Sequence, residues 1–175
     1  METTGSSDVY EALLTRRSVR KFRAQPVADE AIERVLTAAM YAPSAVDKQP
    51  WHFVVIDDPQ VLAEIPTIHP YAKMAASAPA AILVCADAEL AHGPGYIPQD
   101  CAAATQNILI AAHALGLGSV WCGVYSQPDR EAGFRRLLSL PESIVPFSLV
   151  VIGHPDEQPA QPDRDRSDRV HRHGW

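Results

Sequence analysis

This 175-residue sequence contains few cysteines and no long apolar run, and both absences narrow what the protein can be. The three cysteines, Cys85, Cys101 and Cys122, form no C-x-x-C pair, and no histidine lies at a zinc-ligand spacing from them. An odd number of cysteines in apolar surroundings predicts buried free thiols in a reducing compartment. No apolar stretch approaches the roughly 20 residues that cross a bilayer, and residues 1–7 lack a signal-peptide layout. We therefore expect a cytoplasmic protein that does not associate with membranes.

The sequence also lacks the broad basic character of a protein that binds nucleic acid. It carries 15 Lys and Arg against 21 Asp and Glu, which gives a net charge of −6 at pH 7. A nucleic-acid surface needs an extended basic face. Together with 47% apolar and 21% charged residues, this composition predicts one soluble globular domain without a nucleic-acid surface.

The common catalytic and metal-binding motifs are missing as well. Gly116-Leu117-Gly118 has Trp121 where a dinucleotide fingerprint needs its third glycine, and it closes a predicted helix instead of opening one. There is no P-loop, no G-x-S-x-G and no H-E-x-x-H sequence. The two histidines of His171-Arg172-His173 lie in a polar tail, where a surface role is the usual one. The motifs therefore predict neither a metal site nor a catalytic side chain.

One short stretch concentrates positive charge in this acidic chain. Five of the fifteen basic residues lie in Arg16-Arg17-Ser18-Val19-Arg20-Lys21-Phe22-Arg23, directly after a predicted helix. Guanidinium groups grip phosphate oxygens through two parallel hydrogen bonds, and a serine hydroxyl adds a neutral donor. The stretch is therefore a candidate site for a small anion. The alternatives are a solvated basic loop and a set of arginines that pair with nearby acidic helices.

Apolar periodicity and turn residues give a coarse secondary structure. Helices are expected at 9–15 after a Ser7/Asp8 cap, and at 26–40, 58–65, 71–77, 100–115 and 129–138. Strands are expected at 51–56, 80–86, 119–124 and 146–152, and the loop at 88–98 has the composition of a lid. Residues 154–175 contain almost nothing apolar, so this segment is either disordered or laid across a partner.

Four motifs in this order resemble the nitroreductase family of flavin enzymes. They are Arg16-Arg17-Ser18-x-Arg20, Pro43-Ser44 followed by Gln49-Pro50-Trp51, the segment from Gly118 to Gly123, and the segment from Arg166 to His171. The first two together are specific, and the four span nearly the whole chain. The resemblance implies an α+β fold with a central mixed sheet flanked by helices.

The resemblance also implies FMN bound at the interface of an intertwined homodimer, with residues 1–153 as the flavin domain and residues 154–175 wrapping the partner. By this likeness the FMN phosphate and ribityl chain are held by Arg16, Arg17, Ser18, Arg20 and Arg166. The partner's loop meets the flavin through Pro43, Ser44 and Gln49, and Trp121, Cys122 and Gly123 lie at the end of a strand beside it. The Gly123 N–H is the expected donor near flavin N5. Trp121, Tyr71 and Tyr96 are candidates to face the acceptor.

Two positions depart from the family's pattern. Relatives commonly have Asn where this chain has Asp47, and a carboxylate accepts hydrogen bonds but donates none unless protonated. Asp47 is therefore expected either to lower the flavin's potential or to point elsewhere. Cys122 stands where the family often has an acid, which leaves the donors near N5 to the backbone.

The expected activity follows from the resemblance. A flavin accepts hydride from NADH or NADPH and passes it to an acceptor that binds in the same place, while the protein supplies binding, orientation and electrostatics. We expect nitroaromatics, quinones or related conjugated acceptors. The alternatives are a specialised branch, such as an enone reductase, a dehalogenase or an oxidase, and a flavin-binding or storage protein without turnover. A protein without flavin, whose arginines bind another phosphate, is a further alternative.

Overall fold

The computed structural model describes residues 9–175, whose centre is a four-stranded sheet. The strands are β1 (Trp51–Ile56), β2 (Ala80–Asp87), β3 (Gly118–Gly123) and β4 (Ile144–Gly153), in the order β1-β2-β4-β3. All three neighbouring pairs are antiparallel, so the expected mixed sheet is wrong for this part of the chain. An apolar run shows that both faces of a strand are covered, but it carries no information on direction. Strand direction is set by the connections. Ile56 at the end of β1 pairs with Ala81 near the start of β2, so the connecting segment leaves and re-enters the sheet at the same end of the strands, which makes them antiparallel.

Helices cover both faces of this sheet. The described residues form α1 (Val9–Thr15), α2 (Asp29–Met40), α3 (Pro59–Ile68), α4 (Ile97–Ala114) and α5 (Pro128–Leu137). Side chains alternate along β2, so that Ile82 and Val84 join the core formed with α2 and α4, while Leu83 and Cys85 join the core with α3 and α5. The central strands are therefore apolar at nearly every position, because neither face meets water.

Most predicted elements are confirmed, with shifts at their ends. The helix at 9–15 and the strand at 51–56 have the expected bounds, whereas the Ser7/Asp8 cap lies outside the described residues. α4 begins at Ile97, three residues early, because Pro98 in the first turn lacks only an N–H that has no partner within the helix. The predicted helix at 71–77 is a short 3-10 helix, Lys73–Ser77. Gly116 follows α4 with a φ of 76°, as expected of a helix terminator.

The tail starts in contact with the basic stretch of its own chain. Arg23 N–H donates to the His154 carbonyl, and Asp156 N–H donates to the Lys21 carbonyl. Beyond residue 160 every tail residue is exposed, including those of the 3-10 turn Ser167–Arg169. Among residues 9–175, no helix combines the length and the apolar character that a membrane span requires.

Candidate functional site

The basic stretch lies directly against β3. Ser18 forms a parallel bridge with Ser119, and the Val19 N–H donates to the Ser119 carbonyl at 3.0 Å. This approach depends on Gly118, because a Cβ at that position would lie 2.8 Å from Val19 Cβ. Two of the sequence motifs, one early and one late in the chain, are thus brought together by a glycine that leaves room for a backbone to pass.

Two arginines of the stretch line a cleft of about 400 Å³ at the start of β3. Arg16 is half-buried there, and burial lowers its pKa, with further lowering from the nearby positive charges of Arg164 and Arg17. Three guanidinium groups of like charge repel one another at such a place. A bound phosphate would relieve that repulsion, so the donor set fits this group.

Arg17 is fixed by the end of α1. Its Nη1 donates to the Leu14 carbonyl at 2.8 Å and to the Arg16 carbonyl at 2.5 Å. A cation at this place satisfies carbonyls that have no partner within the helix. Its Nε is buried and has no hydrogen-bond partner within residues 9–175.

A histidine at the end of α4 completes the wall of this cleft. The Thr15 hydroxyl donates its single hydrogen to the Glu11 carbonyl at 2.7 Å and lies 2.8 Å from His113 Nε2. The hydroxyl must therefore accept from Nε2–H, which assigns the tautomer. Burial lowers the pKa of His113, as do the charges of Arg16 and Arg17, so this side chain is neutral near pH 7.

One carboxylate also lines the cleft, and its contacts are to backbone. Glu157 Oε1 accepts from the N–H groups of Arg20 and Lys21, at 2.5 and 3.1 Å. These bonds fix the loop that carries Arg20. The carboxylate therefore orders the basic stretch through its backbone.

A second pocket, of about 330 Å³, lies at the other end of β3 and contains no carboxylate. We call it the ring pocket, and it is lined by Arg20, His69, Tyr71, Val120, Trp121, Cys122, Gly123 and Arg130. The Gly123 carbonyl accepts two hydrogen bonds, from His69 Nε2 at 2.9 Å and from Arg130 Nη1 at 2.8 Å. Five residues that the sequence analysis named for the cofactor or the acceptor (Arg20, Tyr71, Trp121, Cys122 and Gly123) thus lie together here with three that it did not name.

The cysteines are confirmed as buried free thiols. Burial raises the pKa of Cys122 to about 11 and those of Cys85 and Cys101 to about 12. A thiol with such a pKa stays protonated at neutral pH and is a poor nucleophile. Cys122 therefore contributes an uncharged wall to the ring pocket.

The loop with Pro43, Ser44, Asp47 and Gln49 has an unusual backbone. Asp47, Gln49 and the β-branched Val46 have φ of 53°, 47° and 54°, in the left-handed region that such residues rarely adopt. Local bonds hold this geometry: Gln49 N–H donates to the Ser44 hydroxyl at 2.9 Å, and Gln49 Nε2 donates to Asp47 Oδ1 at 2.8 Å. Strain of this kind is concentrated at functional sites.

The buried Asp100 ties the same loop to α4. Its Oδ1 accepts from the Ala45 N–H at 2.9 Å, and its Oδ2 is buried with no partner in the described part of the chain. The loop is therefore held rigidly on the scaffold while most of its side chains remain exposed.

Some predicted site residues lie apart within this chain. Pro43, Ser44, Asp47 and Gln49 line neither the cleft nor the ring pocket. Arg166 is exposed, and its Nη1 donates to the Asp165 carbonyl at 2.5 Å. It is Arg164 whose charge acts on Arg16.

A larger cavity of about 690 Å³ lies between α2 and α3 and is lined mainly by apolar side chains. Its charged lining residues are Asp29, Glu33 and Asp57, which are all acidic. A phosphate would be repelled there. On charge grounds the β3 cleft is the better candidate for an anion site.

Comparison with known proteins identifies the family. A sequence model described as the nitroreductase family matches residues 13–82 and 69–154, which include the basic stretch, the strained loop and β3. This chain belongs to the nitroreductase family. The α+β fold implied by the sequence motifs is that of a nitroreductase, built here on an antiparallel sheet.

Relatives of this nitroreductase are similar over almost its full length. A protein of Methanothermobacter thermautotrophicus with the provisional name NADH dehydrogenase/NAD(P)H nitroreductase is 51% identical over 96% of this chain and 88% of its own. A crystal structure of a protein from Parabacteroides distasonis with the same provisional name has a TM-score of 0.91 at 36% identity, covering 95% of this chain and 98% of the other. A provisionally assigned nitroreductase of Desulfovibrio desulfuricans, solved in complex with FMN, has a TM-score of 0.84 at 31% identity, with 98% and 99% covered.

Sequence reasoning missed two residues that line this nitroreductase's ring pocket and one whose charge acts on Arg16 in the cleft. Arg130 lies in the first turn of α5 and has the pattern of a solvent-facing helical residue, and His69 is a lone histidine before a proline. Neither position carries a local signal, because only the fold brings them to Gly123. For Arg164 the only hint in the sequence was that the tail contains several arginines.

Proposed function

We propose that this nitroreductase binds FMN along β3 and transfers hydride from NADH or NADPH to nitroaromatic, quinone or similar conjugated acceptors. The observation that supports it is a pair of positively charged pockets at the two ends of one strand. Gly123 in the second pocket is four positions after Ser119 in the first. At about 3.3 Å per residue this is about 13 Å, a span that suits a phosphate at one end and a flavin ring at the other, joined by the ribityl chain.

The residues present fit the parts of this cofactor. A phosphate of about −1.5 to −2 charge would be held by Arg16, Arg17 and Arg164, and the Ser18 hydroxyl would meet the ribityl chain. Arg20 would offer positive charge to the ring. FMN, when bound, supplies hydride acceptance and donation at N5.

Three residues of β3 would shape the place of the flavin ring and the acceptor. Gly123 leaves open space, since a Cβ there would meet nothing within 4 Å. A flat ring can therefore approach the strand closely. Trp121, half-buried at the strand end and packed on Phe147 with ring centroids 5.7 Å apart, offers a rigid wall for ring and acceptor. The neutral Cys122 adds no charge that would oppose reduction.

A homodimer would complete this site. The loop at 43–49 is ordered and strained but contributes to neither pocket of its own chain, which suits a loop presented to a partner. Large apolar side chains are exposed on α1, at the end of α2 and in the tail: Val9, Leu13, Met40, Tyr41, Val170 and Trp175. We infer that residues 154–175 contact the partner subunit and that Arg166 reaches a flavin phosphate there.

The proposal is tested by spectroscopy of the purified protein after FMN is added and the excess removed. Retained flavin absorbance supports cofactor binding, and a colourless protein contradicts it. Anaerobic NADH or NADPH should then bleach the flavin, and a nitrofuran or menadione should restore its colour. Bound flavin that neither nucleotide bleaches would indicate a storage protein instead. A branch specialised for another acceptor would bleach but fail to reoxidise with these compounds.

Substitution of Arg16 gives a second test. Arg16→Ala removes a charge-assisted contact of about 1.5–3 kcal/mol, so FMN affinity should fall by about tenfold or more. Arg136→Ala is the matched control, since Arg136 is exposed on α5 and lines neither pocket. Equal FMN affinity of the two variants, measured by flavin fluorescence titration, would contradict the placement of the phosphate.

A further inference from the structure

We propose that Arg130 sets the redox potential of the bound flavin and that His69 is its positioning residue. This inference rests on the proposed FMN site and assigns two side chains to the ring pocket that the sequence motifs do not include. The role is electrostatic: a second guanidinium, besides that of Arg20, lines the pocket proposed for the flavin ring, and the ring gains negative charge on reduction.

Arg130 is held in place by two contacts. Its Nη1 donates to the Gly123 carbonyl at 2.8 Å, and its guanidinium carbon lies 5.6 Å from the centre of the Tyr71 ring. A guanidinium has five N–H donors in a planar fork, and the bond to Gly123 uses one of them. The side chain is half-buried, so solvent screens its charge less than it would a fully exposed arginine.

His69 fixes the acceptor that Arg130 binds. It is 2% exposed and donates from Nε2 to the same Gly123 carbonyl at 2.9 Å, while its Nδ1 has no partner within residues 9–175. The Gly123 oxygen accepts both bonds, so Nε2 carries the hydrogen and the ring presents no second donor while it is neutral. Burial and the charge of Arg130 both lower the pKa of His69. The positive charge of the pocket therefore comes from Arg20 and Arg130.

The net positive charge of the ring pocket favours the reduced form of the flavin over the oxidised form. None of its eight lining residues is acidic. Two guanidinium groups therefore stabilise an anionic reduced ring more than the neutral oxidised ring, and such a difference in binding raises the potential. Arg130→Gln keeps a donor for Gly123 but removes the charge. We expect the ratio of reduced to oxidised FMN affinity to fall by about tenfold, which for a two-electron couple is about 30 mV.

The experiment measures the midpoint potential of the FMN-loaded protein against reference dyes under anaerobic conditions. Arg130→Gln should lower the potential by about 30 mV, while Arg130→Lys, which keeps the charge, and the control Arg136→Gln should stay at the wild-type value. His69→Asn should lower the potential less than Arg130→Gln, and it should add nothing in the double variant because both act through one contact.

Three results would overturn the inference. The first is an Arg130→Gln variant that retains FMN and has the wild-type potential. The second is a potential that falls as far in Arg130→Lys as in Arg130→Gln, and the third is a double variant whose decrease in potential is the sum of the two single decreases. If Arg130→Gln fails to fold, a decrease of the potential in Arg130→Lys, which keeps the charge, would still overturn the inference. A wild-type protein that does not bind FMN at all would instead refute the proposed function, and this inference with it.

Discussion

The contact between the basic stretch and β3 gives a prediction that separates folding from cofactor binding. An alanine Cβ at position 118 would lie 2.8 Å from both Cβ and Cγ1 of Val19. Val19 is buried and β-branched, so its side chain cannot rotate away cheaply. The backbone that carries Arg16 and Ser18 must shift instead. Overpacking of this kind costs about 1–3 kcal/mol.

Gly123→Ala is the matched control in the same strand. A Cβ there meets nothing within 4 Å, so the fold should tolerate it and even gain about 0.4–1 kcal/mol from the less flexible unfolded chain. If the flavin ring lies in the ring pocket, however, the added methyl group meets the ring. Gly118→Ala should therefore lose stability, whereas Gly123→Ala should lose FMN affinity without losing stability.

The assay is thermal unfolding of the cofactor-free protein followed by FMN titration. For a chain of this size 1 kcal/mol corresponds to about 2–4 °C in Tm, so Gly118→Ala should unfold about 2–12 °C below the wild type. Gly123→Ala should unfold at or slightly above the wild-type temperature. An unchanged Tm for Gly118→Ala would refute the packing argument. Wild-type FMN affinity in Gly123→Ala would refute the position of the ring.

Two further predictions concern titrating groups. The three buried cysteines, with pKa values of about 11 to 12, should react with Ellman's reagent at pH 8 only after unfolding; rapid reaction of the native protein would show that a thiol is accessible. The pKa values of His69 and His113 are lowered from 6.5 on folding, so the unfolded chain binds more protons, and the free energy of unfolding should fall as the pH drops below about 6.5. Chemical denaturation should show a weaker dependence between pH 7 and 5 in the variant with both histidines changed to Asn, and an identical dependence would contradict the assignment.

The sequence by itself determined the elements and the family. Because both faces of β2 are buried, its sequence is a continuous apolar run that identifies a strand. The helical spacing of apolar residues identified α1 and α2 in the same way. Local chemistry also marked the arginine stretch, since five basic residues in eight positions stand out in an acidic chain. These are properties of neighbouring residues, which a linear pattern records directly.

Only the tertiary structure decided strand direction and the composition of the two pockets. The sheet is antiparallel because of where its connections return, which apolar content does not encode. Val19 contacts Gly118 although they are about a hundred positions apart, and Arg130 and His69 meet on one carbonyl oxygen although they are 61 positions apart in the sequence. Contacts between residues so distant in the chain depend on packing of whole elements, and no local spacing carries that information.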